Sequence, residues 1–243
     1  MKPTQLIDYF QRARKDPRLV VVEGVQALKH AARFGAIFEY IVSSDMKTLG
    51  VMLEELAPDV SPNILQEVTE VEVSVFKKLS PQPPRTQVIA VAKRKLYDLK
   101  KINTDKPIVL LEDPRDLENI GAVIRVSAAA DVAAVCITGS ADIWHPAVLR
   151  GGAGLHFAVP VLNVSIEEVI ELKRPLVSLD PTGNETPLGE LPKNAVLVFG
   201  TERHGISQKT LDLSNQIVRL RMSPGVSSLN LATSVAATLY SSM

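Results

Sequence analysis

Four short, predominantly apolar runs limit what this chain can fold into more than any other feature. They lie at 108–111, 133–138, 176–179 and 196–200. A strand with one wet face alternates apolar and polar residues. A run without alternation is buried on both faces, the state of strands in a parallel sheet sandwiched by helices. Helical spacing at 120–130 and again at 228–240 supplies covering elements. Residues 107–243 therefore read as an α/β domain on a parallel sheet, and such sheets bind ligands beyond the carboxyl ends of their strands.

The first half has a different rhythm. Helical spacing at 4–15, 25–33 and 46–56 alternates with short apolar segments at 19–22, 38–42, 67–71 and 88–92. That order predicts helices over a small sheet, an N-terminal α/β sandwich over residues 1–97. The polar stretch that follows holds Lys93, Arg94, Lys95, Lys100, Lys101 and Lys106. It contains the expected linker, 98–106, which is either a solvated connection or a further contact for an anionic partner.

At 243 residues, 46% hydrophobic and 22% charged, the chain can bury a sizeable core and is not disordered. No apolar run reaches the ~20 residues of a membrane span, and the first residues do not resemble a leader, so a cytoplasmic protein is expected. The lone cysteine, Cys136, excludes an internal disulfide and reads as a buried thiol. The four histidines have no metal-ligand spacing. Net charge is zero, but residues 1–106 carry 17 Lys and Arg against 13 Asp and Glu, and residues 107–243 carry 10 against 14. A polyanion would dock on the basic half; Arg12, Arg14, Lys15 and Arg18 are candidate phosphate contacts there, unless they form a solvated face.

Three polar clusters follow the apolar runs. The first is Leu110-Leu111-Glu112-Asp113-Pro114, then Asn119-Ile120-Gly121-Ala122, then Arg125. Asn119 is a good helix cap and Gly121 permits close approach of a neighbour. Arg125 stands in an otherwise apolar helix, where a charge usually needs a partner. The second is Gly200-Thr201-Glu202-Arg203-His204-Gly205: its glycines permit backbone contact with a ligand, and Glu202 can accept hydrogen bonds. His204 is either a general base or an exposed, non-catalytic residue. The third runs from Leu220-Arg221-Met222 through Pro224-Gly225 to Ser228-Leu229-Asn230. Leu220, Met222 and Leu229 line an adenine slot or belong to the core, and Ser or Asn caps the last helix. The segment Arg150-Gly151-Gly152-Ala153-Gly154 lacks the spacing and preceding strand of a dinucleotide fingerprint; close helix packing or a tight turn accounts for it better.

In order, the three clusters resemble the SpoU/TrmH branch of the SPOUT methyltransferases, with Asn119, Gly121 and Arg125, then Gly200, Glu202 and Gly205, then Met222 and Ser228-Leu229-Asn230. The likeness covers about residues 107–243. More loosely, Val20-Val21-Val22-Glu23-Gly24 and residues 87–92 are similar to the family's substrate-binding domain. The family's Ile-Pro before Met222 is Leu220-Arg221 here, and its Gly after Gln87 is Val88.

The resemblance implies a deep trefoil knot in the C-terminal domain, S-adenosylmethionine as cofactor, and methylation of a ribose 2′-hydroxyl in structured RNA, ribosomal before transfer RNA. It assigns Gly200, Leu220 and Leu229 to the cofactor, and Asn119, Arg125, Glu202, Ser228 and Asn230 to catalysis. It also implies a homodimer whose sites are completed across the interface. Rival readings are a non-catalytic RNA-binding protein on the same fold, a methylase of base nitrogens, and a nucleotide-binding oxidoreductase. The Asn119, Arg125 and Ser228-Leu229-Asn230 set argues against the base methylase, and the absent phosphate fingerprint against the oxidoreductase.

Overall fold

The computed structural model describes residues 2–102, 104–201 and 204–241. The chain divides into two compact units, residues 1–96 with 153–158, and residues 97–152 with 159–243.

In the first unit the order is α1 (Pro3–Ala13), β1 (Leu19–Glu23), α2 (Val25–Arg33), β2 (Phe38–Ser43), α3 (Met46–Leu56), α4 (Ser61–Glu67), β3 (Val68–Glu70), α5 (Val73–Phe76) and β4 (Val88–Lys93). The strands form a sheet in the order β1-β4-β2-β3. β4 is antiparallel to both its neighbours, while β2 and β3 are parallel. Leu6, Phe10 and Ala13 recur at one-turn spacing on α1 and are buried. They close over Val21, Val42, Ile89 and Val91 of the sheet, with Phe76 and Leu79. Gly24, at φ +86°, turns the chain from β1 directly into α2.

Residues 153–158 pack within this unit. A side chain at Gly154 would place its Cβ 2.5 Å from the carbonyl oxygen of Ala27. The Lys95 ammonium donates to the carbonyls of Phe34 and Phe157, at 2.6 and 3.0 Å.

The second unit runs β5 (Ile108–Leu111), α6 (Leu117–Ala129), β6 (Ala134–Ile137), α7 (Pro146–Gly151), β7 (Val161–Asn163), α8 (Ile166–Glu171), β8 (Leu176–Asn184), β9 (Val196–Phe199), α9 (Gln208–Leu213), β10 (Gln216–Val218) and α10 (Leu231–Ser241). Its sheet is parallel throughout, in the order β10-β8-β9-β5-β6-β7. Every residue of β5, β6 and β9 is buried. Ile108 and Leu110 join Cys136, Val169, Val198 and Ile206 in one cluster. The pleat turns Val109 and Leu111, equally buried, toward the opposite face.

Two helix starts differ from the sequence expectation. α6 begins two residues before Asn119, because Asp116 is the cap: its Oδ1 accepts the backbone N–H groups of Glu118 and Asn119 at 2.8 and 3.1 Å. α10 begins at Leu231, three residues beyond Ser228, and Asn230 caps it by accepting from Ala232 and Thr233 at 2.9 and 3.3 Å.

Gly121 and Gly151 pack α6 against α7. A Cβ at Gly121 would lie 2.5 Å from the carbonyl oxygen of Val148 and 2.8 Å from Cα of Gly151. Close helix packing is thus the role of Gly151. No helix among the described residues is long and apolar enough to cross a membrane.

Candidate active site

The carboxyl ends of β5, β8, β9 and β10 lie side by side, and the loops leaving them carry the three polar clusters. At the end of β5, Glu112 reaches the start of α9. Its carboxylate accepts the Ser207 N–H and hydroxyl at 2.7 Å each, and the Thr210 hydroxyl at 2.6 Å. This residue is engaged in structure. Asp113, at φ +43°, accepts from Arg115 at 2.7 Å.

The loop leaving β9 folds back on itself. Thr201 and Gly205 exchange backbone hydrogen bonds at 3.1 and 2.9 Å. A Cβ at Gly200 would lie 2.1 Å from the carbonyl carbon of Gly205. Glycine is needed there first for this reversal, a packing reason distinct from ligand approach. Gly205 itself, at φ +63°, is in the left-handed region. Glu202 and Arg203 lie outside the described residues.

Two hollows open at this edge. The first encloses about 320 Å³ and is lined by Gly200, Leu220, Ser228 and Leu229, together with Asp180, Thr201, Met222 and Leu231. Leu220 and Met222 are half-buried and Leu229 is exposed, so these three form a wall rather than core. The second, about 600 Å³, is lined by Asp113, Arg115, Asp116, Asn119 and His204, and shares Thr201 and Leu231 with the first. A partly apolar slot therefore stands beside a polar basin.

Asn230 lines neither hollow but ties them. With its Oδ1 accepting the first N–H groups of α10, its Nδ2 is left to donate, and it donates to Oδ1 of Asn119 at 2.9 Å. Residues 111 positions apart are thereby fixed at the helix starts flanking the basin.

Arg125 stands apart. Six residues along α6 from Asn119, it is turned roughly 120° around the axis and raised by ~9 Å. It is exposed, lines neither hollow, and has no hydrogen bond or ion pair among the described residues. The charge avoids burial, so it needs no intrachain partner. His204 is also exposed; its backbone N–H donates to the Thr201 hydroxyl at 3.1 Å.

Asp180 was not expected at the site, and Thr201 was singled out only as part of its cluster. Asp180 follows the run 176–179 within β8, so its signal was its place as the first charged residue beyond the buried part of that strand. Its Oδ1 accepts the backbone N–H and hydroxyl of Thr182 at 2.9 and 2.6 Å. In the first unit, Arg14 is removed from the candidate phosphate contacts: it is half-buried and donates to Glu23 at 2.8 Å and to the Leu79 carbonyl at 3.0 Å. Arg18 makes a two-point contact with Asp16, while Arg12 and Lys15 are exposed.

Residues 106–240 match the SpoU rRNA Methylase family. A 23S rRNA (adenosine(1067)-2′-O)-methyltransferase of Streptomyces laurentii is 24% identical over 97% of this chain and 90% of its own length. The 23S rRNA (guanosine(2553)-2′-O)-methyltransferase RlmP of Bacillus subtilis (strain 168) is 26% identical over 83% and 85%. The crystal structure of the SpoU methyltransferase AviRb from Streptomyces viridochromogenes, in complex with the cofactor AdoMet, shares the fold. It superposes with a TM-score of 0.78 at 24% identity, over 98% of this chain and 95% of that one. With more than half its length matched by the family, the chain belongs to the SpoU rRNA Methylase family.

Proposed function

We propose that the protein transfers a methyl group from S-adenosylmethionine to a ribose 2′-hydroxyl of structured RNA, large-subunit ribosomal RNA in particular. The observation that carries this reading is the pair of hollows sharing the Thr201–Leu231 wall. Methyl transfer needs donor and acceptor in line and close together, and adjoining sites supply that orientation. The two relatives named above support the substrate class, since both bear names of 23S rRNA 2′-O-methyltransferases.

The first hollow fits the cofactor. Its volume falls within the ~300–1,000 Å³ range of ligand sites. Leu220, Met222 and Leu229 offer an apolar wall for a flat base, and the backbone at Gly200 and Thr201 offers hydrogen-bonding groups. Gly200, Leu220 and Leu229 would hold it. When bound, S-adenosylmethionine supplies an electrophilic methyl on a sulfonium.

The chain's own residues would prepare the hydroxyl. Ser228, in the slot wall, orients it by hydrogen bonding. The Asn119–Asn230 pair holds the loop before α10 against the start of α6. Arg125 polarises the hydroxyl or binds the adjoining phosphate; a guanidinium scarcely deprotonates and is a poor literal base. Because Arg125 lines neither hollow of its own chain, we place it in the basin of a second copy, in a C2 homodimer with shared sites. Glu202 retains the orienting role that the family resemblance implies. The trefoil knot belongs to the same expectation, and would bring the loops near Gly200, Leu220 and Leu229 around the cofactor. The first unit selects the RNA through shape and phosphates, with Arg12 and Lys15 exposed for that purpose. The protein acts in the cytoplasm.

The test is to incubate the protein with radiolabelled S-adenosylmethionine and total RNA, with Arg125→Ala alongside, and to map the label by nuclease digestion. Label at one ribose, lost in the variant, is expected. Label on a base would overturn the ribose assignment. Label on transfer RNA would move the substrate, and cofactor binding with no labelled RNA would favour a non-catalytic RNA-binding protein.

A further inference from the structure

We infer that a hollow between residues 185–188 and 219–221 is a subsite for a phosphate of the substrate RNA, contacted by Arg221. The inference rests on the RNA reading above and assigns a function to a residue the family resemblance does not explain.

The hollow encloses about 370 Å³ and is lined by Glu185, Thr186, Leu188, Arg219, Leu220 and Arg221. Leu220 also lines the slot assigned to the cofactor, so the two hollows share this residue. Arg219 and Arg221 flank it in the segment leaving β10. Arg219 is neutralised: it donates to Glu185 at 3.0 Å, and its backbone N–H is held by the Asn184 carbonyl at 2.9 Å. Glu185 is the carboxylate of this lining, and its charge is taken by Arg219. Arg221 is left exposed, without a hydrogen bond or ion pair among the described residues. The hollow thus has one uncompensated positive charge, in the half of the chain where acidic residues outnumber basic ones 14 to 10.

A guanidinium offers a planar fork of donors that fits phosphate oxygens, and Thr186 adds a hydroxyl. RNA presenting a ribose to the slot must carry phosphates on either side of that ribose. An arginine beyond the slot wall can bind one of them and set the register of the strand.

RNA binding and methylation are measured as a function of salt for wild type, Arg221→Gln and Arg221→Lys, with S-adenosylmethionine affinity measured in parallel. Lys193→Gln serves as control, an exposed cation before β9 at the other end of the strands. Loss of one phosphate contact lowers the slope of log K against log salt by roughly 0.7–0.9. Arg221→Gln is expected to show that loss and a higher KM for RNA, with cofactor affinity unchanged and near-normal kcat at saturating RNA. Arg221→Lys should restore the slope, and Lys193→Gln should leave it unchanged. An unaltered slope in Arg221→Gln, or weakened cofactor binding with RNA binding intact, overturns the subsite. If wild-type protein neither binds nor labels RNA, the RNA reading itself falls, and this inference with it.

Discussion

Asn230 donates its side-chain N–H to the side-chain oxygen of Asn119 at 2.9 Å, joining two helix starts that are 111 residues apart in the chain. The same Asn230 caps α10 through its oxygen. One residue thus does two jobs, and substitution can separate them. Serine caps as well as asparagine but is too short to reach Asn119. Asn230→Ser should keep the melting temperature near wild type while slowing methylation by on the order of 10–100-fold, the cost of a misplaced reacting group. Asn230→Ala should also lose about 1 kcal/mol of stability. Thermal unfolding alongside methylation kinetics checks both. Equal activity in Asn230→Ser and wild type would remove the bridge from the mechanism.

Glycine has opposite consequences at two helical positions. At Gly121 an added Cβ meets the backbone of α7 at 2.5–2.8 Å, which side-chain adjustment cannot relieve. Gly121→Ala should therefore destabilise the second unit by at least ~1–3 kcal/mol, the range for overpacking. At Gly50, inside α3, nothing lies within 4 Å of the added atom. Gly50→Ala should stabilise by up to ~1 kcal/mol through helix propensity. Chemical denaturation of the two variants should give opposite signs.

The limits of the sequence follow the same local physics. The bounds of α2 and α3 were legible because apolar spacing and turn residues agree there. β7 and β10, three residues each, were missed because so short a strand has no period to detect. The start of α6 is ambiguous in the sequence because Asp116 and Asn119 are both good caps, and the choice depends on backbone geometry. In the site, Gly200, Leu220 and Leu229 carried a recognisable pattern and share one hollow. Asp180 reaches that hollow only because β8 pairs with β9, an adjacency fixed by strand order rather than by spacing along the chain. Arg125 was expected to need a partner; its exposure was not readable from an apolar helix.

Arg14 and Glu23 form an ion pair with side chains only 19% and 6% exposed, and Glu23 also accepts the Ser80 hydroxyl at 2.7 Å. Removing one partner of such a pair strands the other, at a cost of about 3–5 kcal/mol when burial is complete and less here, where Arg14 remains partly wet. Arg14→Leu should lower the stability of the first unit by about 2–3 kcal/mol on that basis. Arg18→Leu, which breaks the exposed contact with Asp16, should leave unfolding little changed. Urea titrations comparing the variants decide it; similar losses would show that the buried pair has no special role.

Cys136 supplies a test of the core that is independent of catalysis. Burial in the parallel sheet pushes its thiol up to about 12. An unfolded thiol ionises near ~8.5, so the fold favours the protonated form. That contribution is fully present below the unfolded value and is lost as pH rises toward the folded one. Wild-type stability should fall above pH ~8.5 with a component approaching ~1.4 kcal/mol per pH unit that Cys136→Ala lacks. Tyr9 and Tyr97 are raised too, by burial first, and they contribute at higher pH equally in both proteins. The difference between the two stability profiles at pH 8–10 isolates the thiol. Parallel profiles would mean that the thiol is accessible to water in the folded chain, and a native protein that reacts with an alkylating reagent would confirm that failure.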